Sequence, residues 1–88
     1  MQGISIVTGT LNRRSYIVPL LQNTVFADDR IELILVDGGS TDGTVEMMRH
    51  VKHEYPRVKF IEVGQRSSYP HYMNLGIEHA SHDLVCQW

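Results

Sequence analysis

A single cysteine, Cys86, stands among 88 residues, so no internal disulfide can form and a reducing compartment is the default. Charge of one sign is also scarce: eight Lys and Arg against ten Asp and Glu leave a formal net charge of −2. Apart from Arg13-Arg14 the cations are scattered, which offers no clustered basic face to a nucleic-acid backbone. No apolar run approaches the ~20 residues needed to cross a bilayer. The amino terminus also lacks the basic segment and apolar core of a secretory signal. These absences predict a cytoplasmic protein with no nucleic-acid partner and no transmembrane segment. A chain of this length forms one small domain, burying ~60–65% of its unfolded surface.

What is present is a regular alternation of segments. Ile4–Thr8 reads as a strand bounded by Gly3 and Gly9, and Ile31–Val36 as a second strand, apolar enough to be covered on both faces. Val58–Val63 reads as a third strand and Asp83–Trp88 as the start of a fourth. Between the first two strands, Ile17, Leu20, Leu21, Thr24 and Val25 follow helical spacing, with Pro19 tolerated only near the start of that helix. A second helix is expected to begin at Ser40–Asp42, with Val45, Met48, Val51 and Tyr55 as its buried stripe and Tyr55-Pro56 as its stop. Ser68 caps a third helix, with Pro70 in its first turn and Met73, Ile77 and Ala80 facing inward. The order β-α-β-α-β-α-β predicts an α/β fold, a Rossmann-like parallel four-stranded sheet with helices on both faces. The fourth strand has no following helix to cover it, so the chain reads as the front portion of a larger domain. An open fourth strand also predicts homo-oligomer formation by edge pairing.

In a parallel sheet, the carboxyl ends of the strands gather the candidates for chemistry. The first strand brings Thr8, Gly9, Thr10, Leu11 and Asn12, the second Asp37, Gly38 and Gly39, and the third Gln65, Arg66, Ser67 and Ser68. These are hydrogen-bonding groups, one carboxylate and one cation, suited to a nucleotide or a sugar. No nucleophile–base pair stands among them. The glycine turn is not a P-loop, because no Gly-Lys-Ser/Thr follows, and the dinucleotide spacing G-x-G-x-x-G is absent. Glycines at such junctions also serve steric ends, so the turn alone fits a site and a plain tight turn equally.

Other candidates have plainer readings. Asp28-Asp29 precedes the second strand and so falls at the opposite edge, as a solvated turn. His50 and His53 are three apart on a helix without a third ligand, as surface residues. Cys86 fits a small buried strand residue, and Arg66 fits either a phosphate contact or an exposed loop residue.

Three segments in order carry a family resemblance: Ile6-Val7-Thr8-Gly9-Thr10-Leu11-Asn12-Arg13, Leu35-Val36-Asp37-Gly38-Gly39-Ser40-Thr41-Asp42-Gly43-Thr44, and Met73-Asn74-Leu75-Gly76-Ile77. Together they resemble the family 2 glycosyltransferases, over essentially the whole chain. The resemblance implies a partial glycosyltransferase A-type fold and transfer of a sugar from a nucleotide-diphosphate-sugar donor, commonly a UDP-sugar, to an acceptor. It places Thr8, Gly9, Thr10, Leu11, Asn12, Asp37 and Gly38 at the nucleoside, and Ser68 and Asn74 near the diphosphate or sugar. Two departures stand out. The first loop reads Gly9-Thr10-Leu11-Asn12 in place of a form such as Pro-Thr-Tyr-Asn, which removes an aromatic platform. Gly38 stands where a second acidic residue is common.

The family's metal-binding DxD motif follows the fourth strand, about where this chain ends. No cofactor is therefore expected within the chain, while a divalent cation, Mg²⁺ or Mn²⁺, is expected for the full-length enzyme. The resemblance thus implies a donor-binding fragment that is inactive alone, cytoplasmic or peripheral to a membrane in the parent enzyme. The alternative is a non-catalytic α/β nucleotide-binding or self-associating module.

Overall fold

Four segments form parallel strands, β1 (Ile4–Thr10), β2 (Ile31–Asp37), β3 (Val58–Glu62) and β4 (Leu84–Gln87), separated by α1 (Arg14–Asn23), α2 (Thr44–Glu54) and α3 (Tyr69–Glu78). The computed structural model describes residues 3–65, 68–82 and 84–87. The sheet order is β3-β2-β1-β4. β4 pairs with β1 from Ile4↔Leu84 to Val7↔Gln87. Asp83 and Trp88, expected within the fourth strand, lie outside the described residues.

Strand alternation sorts the core into two layers. Leu33, Leu35, Val58 and Phe60 face α1 and α2, where Ile17, Leu20, Leu21, Val25 and Met48 meet them. Val7, Ile34 and Val36 face α3 and its Met73. The β2 run is therefore apolar on both sides because both sides are covered. No described helix is long and apolar enough to cross a membrane.

Several local expectations shift. β1 runs past Gly9 to Thr10, whose partner across the ladder is Asp37. A glycine inside the strand does not end it, since its backbone still pairs. Pro19 lies in the second turn of α1, where its missing N–H leaves the Ser15 carbonyl without a helical donor. Both residues are exposed, so water can serve that carbonyl.

α2 begins at Thr44 after Gly43 (φ 94°), later than the Ser40–Asp42 start, because Ser40 and Asp42 bond elsewhere. Its stripe ends early: Tyr55 is exposed and stacks at a tilt on Phe26, with ring centroids 5.0 Å apart. In α3, Ile77 is exposed rather than inward. Gly76 takes the inward place, and a Cβ there would overlap Val7 Cγ1. The helix approaches β1 too closely for a side chain at that point.

Candidate functional site

Thr10, Asp37 and Glu62 form a row across β1, β2 and β3 at the carboxyl edge, on the face toward α1 and α2. Asp37 is buried, with 1% of its surface exposed, so its carboxylate must find partners within the protein. It finds them in its own turn. Asp37 Oδ2 accepts from the amides of Gly39 (2.8 Å) and Ser40 (2.9 Å), and Oδ1 accepts from the Ser40 hydroxyl. Gly39, at φ 100°, supplies the left-handed step that lets the chain fold back over the carboxylate.

The β1–α1 and β2–α2 loops are stitched together. The Asn12 amide donates to Ser40 Oγ (2.9 Å), and Asn12 Oδ1 accepts from the Thr41 amide (2.7 Å). Asn12 itself is left-handed at φ 53°, a conformation its short polar side chain tolerates. The Gly38 amide donates to the Thr10 carbonyl at 3.0 Å.

One carboxylate serves two helices. Asp42 Oδ2 accepts from the Arg14 amide at the start of α1 (3.0 Å), and Oδ1 accepts from the Thr44 amide (3.1 Å) and the Thr44 hydroxyl at the start of α2. Neither helix has a side-chain cap from its own N-cap residue, and Asp42 supplies what is missing. The Thr44 hydroxyl and the Arg14 amide hold its carboxyl below the usual range. Negative charge thus already stands at both helix starts, where a phosphate would otherwise be favoured. Glu62, the third acid at this edge, is held low by the Arg49 guanidinium, which bonds it at 2.7 and 3.0 Å.

Thr10 differs from these. Its hydroxyl oxygen is the one buried side-chain polar atom without a hydrogen-bond partner among the described residues. Thr8 is buried beside it, and Leu11 is half-buried.

Of the nine residues expected at the site, Thr8, Gly9, Thr10, Leu11, Asn12, Asp37 and Gly38 come together at this corner. Ser68 accepts from the His71 amide at 3.4 Å and so caps α3, as expected of its position. Asn74 is exposed further along α3, and no described contact joins it to the strand-end loops. Arg66 and Ser67 lie outside the described residues, as does the side chain of Cys86. No group of three His, Cys, Asp or Glu able to hold a metal ion comes together among the described residues.

Two features escape a reading of the sequence. Tyr72 of α3 lies across Gly9 and Gly38: a Cβ on Gly9 would sit 3.3 Å from its ring, and one on Gly38 would collide with its hydroxyl. The signal was the pair of glycines at neighbouring strand ends. At the opposite edge, buried Glu32 accepts from Ser5 Oγ (2.9 Å) and the Ser81 amide (2.9 Å) and pairs with Lys59 (3.2 Å). The signal there was a carboxylate inside an apolar run. Asp28, at the same edge, pairs with Arg30 at 2.7 Å, and the bonds from that guanidinium and amide bring its pKa down to about 2.

A model of the glycosyl transferase family 2 domain matches residues 5–87. Among solved structures, the fold is similar to that of the mannosyltransferase PcManGT from Pyrobaculum calidifontis in complex with GDP-Man and Mn²⁺, with TM-score 0.77 and 26% identity over 96% of this chain and 26% of that one. It is also similar to TarS from S. aureus, with TM-score 0.74 and 22% identity over 98% of this chain and 16% of that one. A third is glucosyl-3-phosphoglycerate synthase from Mycobacterium tuberculosis, in complex with Mn²⁺, UDP and glucosyl-3-phosphoglycerate, with TM-score 0.73 and 23% identity over 99% of this chain and 33% of that one. The chain therefore spans between about a sixth and a third of the length of these proteins. No curated protein sequence matches it.

Proposed function

Because the chain belongs to glycosyl transferase family 2, we propose that it holds the nucleoside diphosphate of a nucleotide-sugar donor at the carboxyl edge of its sheet. In this reading it is the donor-binding portion of an enzyme that passes the sugar to an acceptor, and it does not complete the transfer alone. The observation that carries it is the stitched corner between the β1–α1 and β2–α2 loops. There Asn12, Ser40 and Asp42 hold the loops in one arrangement, and the buried Thr10 hydroxyl has no protein partner among the described residues. An unmet buried hydroxyl beside preformed loops suits a ligand that supplies the missing bond.

Thr8, Gly9, Thr10, Leu11, Asn12, Asp37 and Gly38 form this nucleoside corner. Asp37 acts mainly by ordering the 38–40 turn, because both its oxygens already accept bonds from that turn. Asp42 charges the α1 and α2 starts, which favours seating the diphosphate away from them, toward the start of α3 where Ser68 lies. The parent enzyme would use Mg²⁺ or Mn²⁺ to neutralise a departing diphosphate. The described carboxylates do not suit such a cation, since Asp37, Asp42 and Glu62 are each engaged by amides, hydroxyls or a guanidinium. No step is therefore routed through a cation held by these residues.

Calorimetric titration with UDP, GDP and inorganic pyrophosphate tests the reading. It predicts saturable binding of a nucleoside diphosphate, UDP foremost, tighter than that of pyrophosphate. Equal or absent binding of all three overturns it.

A further inference from the structure

Tyr72 of α3 fills the space beneath the ends of β1 and β2. Its half-buried side chain packs against the cluster of Val7, Ile34, Val36 and Met73. From there it reaches both bare strand ends of the corner. A Cβ on Gly9 would sit 3.3 Å from the ring, and one on Gly38 would collide with the phenol oxygen. Gly9 and Gly38 have no positive φ, so their backbones do not require glycine. What they lack is room, and the tyrosine has taken it. One side chain rooted in the core replaces two that would have risen from the strands.

That exchange fixes the shape of the corner. Without side chains, the two strand ends let a flat ligand approach the backbone closely. The ring beneath them sets how deep it goes. The rim is equally set, because Asn12 bonds Ser40 and Thr41, and Ser40 bonds Asp37. We propose that the bulk of Tyr72 is a steric stop that admits a one-ring pyrimidine base at this corner and turns away a two-ring purine. This size selection rests on the nucleotide-binding reading above. A larger base has to displace a side chain packed on the core, and a close-packed interior gives way only at a cost. The stop acts through volume, so it asks for no hydrogen bond between the phenol and the ligand. The phenol keeps its bond to the Gln65 carbonyl at 3.4 Å.

Calorimetric titration of the full chain and of Tyr72→Leu, with UDP, ADP and GDP, tests this. Leucine leaves an apolar side chain on the core cluster and vacates the space under Gly38. The unaltered chain is expected to bind UDP about tenfold tighter than either purine nucleotide. Tyr72→Leu is expected to cut that ratio about three- to tenfold, with ADP and GDP both gaining in affinity. Tyr72→Phe, which keeps the ring, is expected to move the ratio less than Tyr72→Leu does. Should Tyr72→Leu not fold, Tyr72→Met, with a flexible core-filling side chain, decides by the same ratio. Purine binding as tight as that of UDP in the unaltered chain overturns the stop and leaves the nucleotide reading standing. So does a ratio that Tyr72→Leu leaves unchanged, or one that falls without a gain for both purines. Failure of the unaltered chain to bind any of the three overturns both.

Discussion

A buried hydroxyl without a partner lowers stability by the hydration it has lost, and it gains only when something arrives to bond it. Among the described residues Thr10 is in that position, so stability and binding should move in opposite directions when it is changed. Thr10→Val keeps the shape, suits a strand and removes the unmet oxygen. The ligand-free variant is expected to gain about 1 kcal/mol in urea unfolding, while its affinity for UDP falls. A variant that gains stability and binds UDP as before would show that Thr10 is a packing residue and nothing more. Asp37 and Asn12 belong with Thr10 in the corner, yet their geometry makes them holders of loops. A strand-end carboxylate before two glycines marks the place in the sequence. Which atoms it bonds depends on how the turn folds back, and that is not written in residue type.

The elements follow mostly from periodicity, and their misplacements have local causes. Apolar spacing placed α1, because Ile17, Leu20 and Leu21 share one stripe that meets β2 and β3. α2 starts at Thr44, later than residue type suggests, because Asp42 reaches Arg14, a residue 28 positions away, and caps two helices at once. No short-range signal carries such a bond. On α3, Met73 and Ala80 do pack inward, and only Ile77 departs, because Gly76, with no side chain to count as apolar, makes the close approach to β1. That contact gives a test with a diagnostic sign. Glycine to alanine inside a helix ordinarily stabilises by about 1 kcal/mol. Gly76→Ala is expected instead to destabilise by about 1–3 kcal/mol in chemical denaturation, because the methyl overlaps Val7. A stabilised variant would mean that α3 does not lie so close.

The molecule as a whole has a carboxyl edge, where the binding site is proposed, and an amino edge held by a buried polar network. At the amino edge, Glu32 joins Ser5 of β1, Lys59 of β3 and Ser81 ahead of β4. Burial opposes ionisation of Glu32, but bonds from Ser81, Ser5 and Lys59 outweigh it and hold its pKa below the ordinary 4.5. A carboxyl depressed in the folded state stabilises above its unfolded pKa, and that contribution is lost as pH falls through the folded value. The protein is therefore expected to lose stability as pH drops below about 4.5. Glu32→Gln should cost about 1–3 kcal/mol near neutrality and flatten that part of the pH dependence. An unchanged slope would mean that Glu32 does not set this pH dependence. The layered α/β plan was legible in the sequence, since it follows from alternation and strand direction, and strand direction alone names the carboxyl edge as the proposed site. This network was not, because a lone acid in an apolar run shows its purpose only once Lys59 and Ser81 are brought to it.

The proposed function seats a nucleoside diphosphate at the carboxyl edge, between the β1–α1 and β2–α2 loops. Amide-resolved NMR titration with UDP reads that location directly. Shift changes are expected at Thr8–Asn12, Gly38–Ser40 and Tyr72, with the amino edge at Gly3, Arg30 and His82 left still. Changes centred on the amino edge, or none at saturating nucleotide, would contradict it.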